Sequence, residues 1–465
     1  MLRIFGYYVP KPYVLLAVCE TAAFFLSLIL GALARFGWSL SEDSELFGLV
    51  ASASVYAIVM TSSLTSMGLY QRGLQQAEAG FVVRMSLAFV LGTCLMALFF
   101  YAVPTVFVGR GILGLGLIFS FIAVTLIRET FARLANVESL KRRLLVVGAG
   151  FNAKRIDDLV SREPRLAFVV VGYLPLPNSP TVISDDKLIH DERLPLDIAM
   201  RHGVDEIVLA ADDRRGILPV DDLVECRMSG FEVVDLLTFF EKELALVKID
   251  LLYPSWIFLA PHGFGIGLSG LYGKRIFDVA VGILMLAVTA PIMCLVAVAS
   301  LIESRGRDPV FYHQVRVGEG GKLFRLHKFR SMRVDAEADG VPRWASERDS
   351  RITPIGGFLR KTRLDELPQV FNVLKGQMSL VGPRPERPEF VQHLSAAIPY
   401  YCERHRVKPG VTGWAQLLYP YGSGDEDAKR KLEFDLYYVK HAGIILDLVI
   451  ILQTVEVVVF GKGAR

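Results

Sequence analysis

Lys274-Arg275-Ile276-Phe277-Asp278 opens an apolar run that continues to Ile302 and carries Pro291 near its middle. The run is long enough to cross a bilayer, for which roughly 20 apolar residues suffice. A proline inside a helix removes an i→i−4 hydrogen bond and kinks it. Both flanks are basic, with Lys274 and Arg275 before the run and Arg305 and Arg307 after it. Lys and Arg mark cytoplasmic flanks, so the spacing predicts both ends on one side of the membrane. The stretch reads as a re-entrant helix-break-helix hairpin over 274–304, with Pro291 at the break. An ordinary fifth span is the other reading. It would put everything after residue 304 on the far side.

Upstream, residues 13–33, 47–69, 81–103 and 111–127 are four further apolar stretches of about spanning length. They predict a membrane α-helical bundle over 1–135. Glu20 lies inside the first stretch, and an acid at that depth is expected to face the bundle interior and pair with Ser or Thr. Arg3, Lys11, Arg72, Arg128, Arg133 and Lys141–Arg143 flank the stretches, whereas the 34–46 loop carries three acids and one Arg. Both ends of the bundle are therefore expected on the cytoplasmic side. More apolar stretches follow the first, so it does not read as a cleaved leader.

Composition agrees with a membrane protein. Of 465 residues, 52% are hydrophobic and the mean hydropathy is +0.41. The net charge of +3 argues against nucleic acid as a partner. Five scattered cysteines (Cys19, Cys94, Cys226, Cys294, Cys402) show no CxxC spacing, which excludes a disulfide framework and a zinc site.

Leu144–Gly148 reads as a buried strand, and Gly148-Ala149-Gly150-Phe151-Asn152-Ala153 opens a helix after it. This G-x-G-x-x-A turn is a phosphate-binding pattern in its proper strand–turn–helix context. No acid stands at the tip of the second strand, which ends Gly172-Tyr173-Leu174-Pro175, and that weighs against NAD. Residues 141–245 are expected to form a Rossmann-like (CoA-binding-like) α/β domain, serving either to bind a nucleotide or as a spacer or oligomerisation module. Residues 246–273, with Trp256, Phe258 and Phe264, read as a linker.

The remaining residues, 274–465, form a mainly α-helical domain. Leu364-Asp365-Glu366-Leu367-Pro368-Gln369 sets two carboxylates side by side after the basic Arg360, Lys361 and Arg363. Proline disfavours helix in the residue before it, so one helix should end near Leu367 and Pro368 should open the next. Asp365 and Glu366 would then meet backbone N–H groups at the new helix start. They are either surface acids at a helix end or an ionised pair facing phosphate or metal. Phe311–Val317 and Phe324–Met332 alternate like a hairpin, which would line Arg316, Lys328 and Arg330 along one side. Downstream, Pro383 and Pro385 restrict the backbone on either side of Arg384, a stiff presentation that suits bidentate phosphate binding or a plain structural turn. Arg404–Gln416 adds a basic, glycine-containing loop, and 444–460 reads as an interfacial amphipathic helix interrupted by Asp447, Gln453 and Glu456. Gly321-Lys322 lacks the rest of a Walker loop. An acid pair, basic loops and a membrane hairpin together point to an anionic substrate at a bilayer and to metal-assisted phosphoryl transfer.

Lys274–Asp278 with its proline-bearing run, Lys328–Met332, Leu364–Gln369, Val381–Glu386, Lys408–Gln416 and Leu436-Tyr437-Tyr438 resemble, in order, the monotopic phosphoglycosyl transferases. These bacterial sugar transferases start exopolysaccharide and O-antigen assembly. The bundle and α/β domain make the chain similar to the family's large members, and its opening and layout resemble the exopolysaccharide transferases of PEP-CTERM systems. The resemblance implies transfer of a sugar-1-phosphate from a UDP-sugar to polyprenyl (undecaprenyl) phosphate, with release of UMP. It implies Asp365 as the nucleophile of a covalent aspartyl-phosphosugar intermediate and Glu366 as the ligand of Mg²⁺. It implies that Arg384, beside Pro383, holds the donor's diphosphate or uridine, and that Lys274, Arg275 and Asp278 organise the hairpin entry and the polyprenyl phosphate head. An inner-membrane location, a catalytic domain on the cytoplasmic face and a homodimer are further expectations. Where some members have Ser-Pro at the break, this chain has Ala290-Pro291. The small members lack residues corresponding to 1–270, so catalysis is not expected to need them. The competing readings are a membrane-anchored nucleotide-sugar-modifying enzyme and a non-catalytic scaffold. The first would need a second G-x-G-x-x-G unit and a Tyr-x-x-x-Lys pair, and 271–465 offer neither.

Overall fold

A computed structural model describes residues 2–4, 7–9, 11–36, 43–70, 78–104, 108–135, 141–162, 166–190, 195–213, 218–254, 268–334, 351–419 and 424–459. After a short antiparallel pair, β1 (Leu2–Ile4) and β2 (Tyr7–Val9), four long helices form the bundle. They are α1 (Lys11–Phe36), α2 (Asp43–Ser66), α3 (Glu78–Ala102) and α4 (Arg110–Ala135). Phe24, Leu28, Tyr56, Met60, Met85 and Met96 fill its centre, while Leu15, Ile58, Val90, Leu98 and Leu126 point outward. Helices apolar on both the inner and outer sides are those of a membrane rather than of a soluble bundle. Together with Leu271–Glu303, five helices are long and apolar enough to cross a membrane.

Glu20 faces the interior as expected, but its partners are a cation and a tyrosine rather than Ser or Thr. Arg128 of α4 donates to it at 2.8 Å, Tyr70 adds its hydroxyl, and the same guanidinium reaches the Leu69 carbonyl. Both charged side chains are buried, and Arg128 lies over the Tyr70 ring at 5.2 Å. A carboxylate withdrawn from water needs a counter-charge more than a dipole, and α1 and α4 run side by side so that one can supply it.

The next unit is a parallel sheet in the order β4-β3-β5-β6. Its strands are β3 (Arg142–Val147), β4 (Phe168–Leu174), β5 (Glu206–Leu209) and β6 (Glu232–Asp235). Alternate side chains enter different cores. Leu144, Val146 and Val208 pack with α5 (Phe151–Arg162) and α8 (Leu236–Leu244). Leu145, Val147 and Ile207 pack with α6 (Pro195–Arg201) and α7 (Val220–Met228). Covering both faces is why these strands read as unbroken apolar runs.

The segment after α8 is more than a connector. Val247 and Ile249 are buried in the same core as Val381 and Leu436, and the Val247 amide donates to the Glu433 carbonyl at 2.9 Å. Trp414 donates its indole N–H to the Ala245 carbonyl, and buried Glu241 meets Lys440 and His441. The first third of the expected 246–273 linker is therefore a strap packed into the C-terminal domain. Its Trp256, Phe258 and Phe264 lie outside the described residues.

α9 (Leu268–Glu303) remains helical through Pro291, so the expected helix-break-helix is one 36-residue helix with a proline inside. Thr289 donates its hydroxyl to the Met285 carbonyl within the affected turn, at 2.7 Å. Phe277, Val281 and Met285 on one half, and Met293, Val296 and Ala297 on the other, pack against the C-terminal domain. Ile276, Leu284, Val288, Leu295 and Ile302 form an exposed apolar stripe.

The C-terminal domain follows with an antiparallel hairpin, β7 (Phe311–Val317) and β8 (Leu323–Phe329). Next come α10 (Pro354–Thr362), α11 (Gln369–Leu374), β9 (Ser379–Val381) and α12 (Pro388–Ala397). β10 (Gly410–Thr412) pairs in parallel with β9, and a Cβ on Gly410 would collide with the Gly382 backbone. The domain ends with α13 (Trp414–Leu418), α14 (Asp425–His441) and α15 (Ile444–Val459). α15 differs from the expected interfacial helix. Its Asp447 and Gln453 point inward, Asp447 is ion-paired with Lys274, and Leu446 and Ile450 enter the domain core. Asp447 thus serves internal partners, while Val455 packs against the bundle.

Replacing Glu20 by Ala strands a buried guanidinium and is expected to cost about 3–5 kcal/mol of stability. Thermal unfolding in detergent reads this directly, and the Glu20→Gln/Arg128→Met double variant should recover most of the loss. An unchanged melting temperature for Glu20→Ala would refute the role of this pair.

Candidate active site

α10 begins with Thr353, whose hydroxyl accepts from the Gly356 amide, and Pro354 in its first turn. It ends earlier than the sequence suggests. Arg363 adopts a left-handed conformation (φ 59°) and closes the helix after Thr362. Asp365 and Glu366 then ride on a short 3₁₀ turn, Leu364–Glu366, before Pro368 and α11. The left-handed residue turns the chain before Pro368 can act, which is why the pair does not continue a helix.

The two carboxylates have opposite surroundings. Glu366 Oε1 accepts from Lys328 at 2.9 Å and from Arg384 at 3.2 Å, with Arg363 at 3.7 Å. Burial pushes the Glu366 carboxyl up, but Lys328, Arg384 and Arg363 outweigh it and hold the group far below the usual carboxylate range. Asp365 is buried, and its Oδ1 has no hydrogen-bond partner among the described residues. Burial pushes the Asp365 carboxyl up, with Lys328 opposing and Glu366 adding to the rise. A buried carboxylate oxygen without a protein partner costs stability unless a ligand or water supplies one. Among the described residues, neither acid takes the backbone N–H groups expected from the helix start.

The structure brings Lys328, Arg384, Asp365 and Glu366 together and places the other candidates elsewhere. Arg316 shares the hairpin face of Lys328 by register. Its guanidinium donates to the Pro385 carbonyl at 2.9 Å and to Gln314, and burial, with Arg384 and Arg387 nearby, lowers it to about 10. Arg330 lies beyond β8 and is ion-paired with Asp308. Lys274 reaches the Val381 carbonyl, the Tyr438 hydroxyl and Asp447. Arg275 donates to the Val373 and Leu374 carbonyls at 2.7 Å each, capping α11. Asp278 accepts from the Ser379 hydroxyl and the Leu380 amide. These three residues anchor α9 to β9 and α11 rather than joining the acid pair. Pro383 offers its carbonyl to the Gly410 amide at 3.0 Å.

Sequence reasoning undervalued three residues. Arg363 was visible as a charge beside the pair, but its left-handed backbone was not. Arg404 stood in a basic loop, yet it is buried and donates to Asp435 and to the Arg384 carbonyl. Asp435 carried no local signal.

In the α/β unit the Phe151 and Asn152 amides donate to Asp212 at 2.9 and 2.7 Å. The α5 N-terminus, where a phosphate was expected to sit, therefore already holds a carboxylate of this chain.

Acidic and basic groups thus converge in a domain tied to helices long and apolar enough to cross a membrane. A family model described as "Bacterial sugar transferase" matches residues 270–461. The UDP-glucose:undecaprenyl-phosphate glucose-1-phosphate transferase of Xanthomonas campestris pv. campestris is 33% identical over 396 residues, 77% of this chain and 75% of its own. The chain belongs to the bacterial sugar transferase family. A UDP-N-acetylgalactosamine-undecaprenyl-phosphate N-acetylgalactosaminephosphotransferase of Aeromonas hydrophila is 39% identical over 246 residues, covering 52% of this chain and 56% of that protein. An undecaprenyl-phosphate galactose phosphotransferase of Salmonella typhimurium is 30% identical over 375 residues, 74% of each chain.

Lys328 lowers the Asp365 carboxyl, so its removal must raise it. Lys328→Met is expected to reduce kcat/KM and to move the acid limb of its pH profile to higher pH. A pH–rate profile with an unmoved limb would separate Asp365 from the acid limb.

Proposed function

We propose that this chain transfers a sugar-1-phosphate from a UDP-sugar to undecaprenyl phosphate, releasing UMP, at the cytoplasmic face of a bacterial inner membrane. The observation that carries the reading is Asp365. It is buried, has an unpartnered oxygen, and adjoins a Glu366 held ionised by Lys328 and Arg384. The names of the three relatives support the reaction and mention different sugars, so the hexose stays outside the proposal.

In the proposed route an Asp365 oxygen attacks the β-phosphorus of the donor. The new O–P bond forms as the bridging bond to the α-phosphate breaks, and UMP leaves with that electron pair. A phosphate oxygen of the acceptor lipid then attacks the same phosphorus, and the aspartyl oxygen departs as carboxylate. Splitting one displacement in two lets donor and acceptor use the site in turn. Arg384 would hold the donor's phosphates, since its planar fork suits phosphate oxygens.

Mg²⁺ suits this donor set. Among the described residues no three His, Cys, Asp or Glu side chains form a metal cage. Magnesium is commonly held by one or two carboxylates together with substrate phosphates. Asp365 Oδ1 is unpartnered and Glu366 presents its second oxygen, so this pair would hold the ion when phosphate is present. When bound, it would neutralise charge on the transferring phosphoryl group.

A re-entrant path for α9 is part of the proposal, with the return made by a bend of the continuous helix at Pro291 instead of a break. Asp278 near one end binds β9, while Glu303 at the other accepts from Thr353 and the Ile355 amide. One domain thus grips both ends, and the exposed apolar stripe between them suits lipid. The sheet order supports a Rossmann-like reading of the α/β unit. Asp212 on α5 favours a spacer role over phosphate binding there. A homodimer is included, supported by exposed Val220, Val224 and Met228 along α7. The PEP-CTERM subtype rests on overall layout alone.

Protein supplied with a panel of UDP-sugars, Mg²⁺ and undecaprenyl phosphate is expected to release UMP with at least one donor. No release from any donor would overturn the proposal. Asp365→Asn should abolish release and also the exchange of labelled UMP into UDP-sugar without acceptor. Exchange that survives the substitution would remove Asp365 as nucleophile. In a cysteine-free background, Tyr272→Cys and Arg307→Cys should react with an impermeant reagent from the same side of sealed vesicles. Labelling from opposite sides would establish a full span instead.

A further inference from the structure

The Pro383-Arg384-Pro385 loop has an unusual way of being held. Proline has no N–H, so this loop has carbonyls as its main backbone handles. Each successive carbonyl has its own donor. Pro383 takes the Gly410 amide at 3.0 Å, Arg384 takes Arg404 at 3.0 Å, and Pro385 takes Arg316 at 2.9 Å. Two of the three donors are guanidinium groups withdrawn from water. Arg404 is 6% exposed, and it also donates to Asp435 at 2.7 Å and to the Tyr401 hydroxyl at 2.8 Å. Asp435 is itself buried on α14. That helix is pinned from its other sides by Lys248 on Glu433 and by Glu241 on Lys440 and His441. Arg316 is steadied by Gln314 on its own strand.

Neither arrangement resembles a cation waiting for a ligand. Arg404 commits both terminal nitrogens to a buried aspartate, a tyrosine and a main-chain carbonyl, and its Nε is buried away from solvent with no partner among the described residues. What these contacts fix is the backbone from which the Arg384 side chain reaches Glu366. We infer that Arg404, fixed by Asp435, and Arg316 form a clamp on the Arg384 loop and act as positioning residues for that side chain. The clamp links the α/β unit to the acid pair through one helix, because α14 meets the α8 strap on one side and Arg404 on another. The inference rests on the donor-binding role given to Arg384.

The test uses the full-length protein in detergent, with Asp435→Asn, which keeps shape and removes charge, and Arg316→Lys, which keeps charge and removes the fork. Each is expected to raise the donor KM about tenfold to a hundredfold, the loss of a charge-assisted hydrogen bond. kcat should stay within about threefold and the acceptor KM should not move. In an Arg384→Ala background neither substitution should raise the donor KM further, since both act through that side chain. Equal effects with and without Arg384, or a loss of kcat and melting temperature at unchanged donor KM, would overturn the clamp. Hydrogen exchange of peptides covering 380–388 supplies a readout free of the donor reading. Faster exchange in both variants supports the clamp, and unchanged exchange overturns it. If Arg384→Ala leaves the donor KM unaltered, the donor role of Arg384 fails, and exchange alone then decides the clamp.

Discussion

Glu366 is the point on which the C-terminal domain converges. Its carboxylate draws Lys328 from β8, Arg384 from the loop after β9 and Arg363 from the end of α10. Three separate elements are thus tied to one largely buried charge. A charge of that kind is stable only when several cations surround it. Lys328, Arg384 and Arg363 all address Glu366, and the neighbouring Asp365 keeps an oxygen with no hydrogen-bond partner among the described residues. The asymmetry between two adjacent acids follows from this single allocation.

The support behind the pair is polar rather than apolar. Lys274 with Asp447, Asp278 with β9 and Arg275 on α11 seat a membrane helix against the domain. Lys274, Asp278 and Asp447 are buried and Arg275 half-buried, each with hydrogen bonds supplied, the condition under which polar interiors add rigidity. α9 can therefore carry apolar side chains outward along its length without loosening the domain it serves. The same logic operates in the bundle, where Glu20 and Arg128 cross-link α1 and α4.

The α/β unit is coupled to this framework more closely than its separate fold suggests. Val247 and Ile249 belong to the C-terminal core, and Trp414 and Glu433 bind backbone of the strap. α14 joins these contacts to Arg404. Meanwhile the glycine turn that resembles a phosphate seat is closed by Asp212.

Much of the layout was legible in the chain. Apolar length gave the bundle and α9, and strand–turn–helix spacing gave the small parallel sheet. The order of basic and acidic motifs gave the family, because residue type and local period are properties of sequence. The roles of particular charges were not legible. Lys274, Arg275, Asp278 and Arg330 carry the same charges as Lys328 and Arg384, and only the fold decides which cation meets a carbonyl, a buried aspartate or Glu366. Arg128 looked like a flanking charge until α1 brought Glu20 beside it. Asp447 looked like the wet face of an amphipathic helix until Lys274 was placed against it. Hydrophobic burial acts on each segment's own pattern and can be read along the chain. The assignment of buried charges is a matching problem among residues tens to more than a hundred positions apart, and only the tertiary structure solves it.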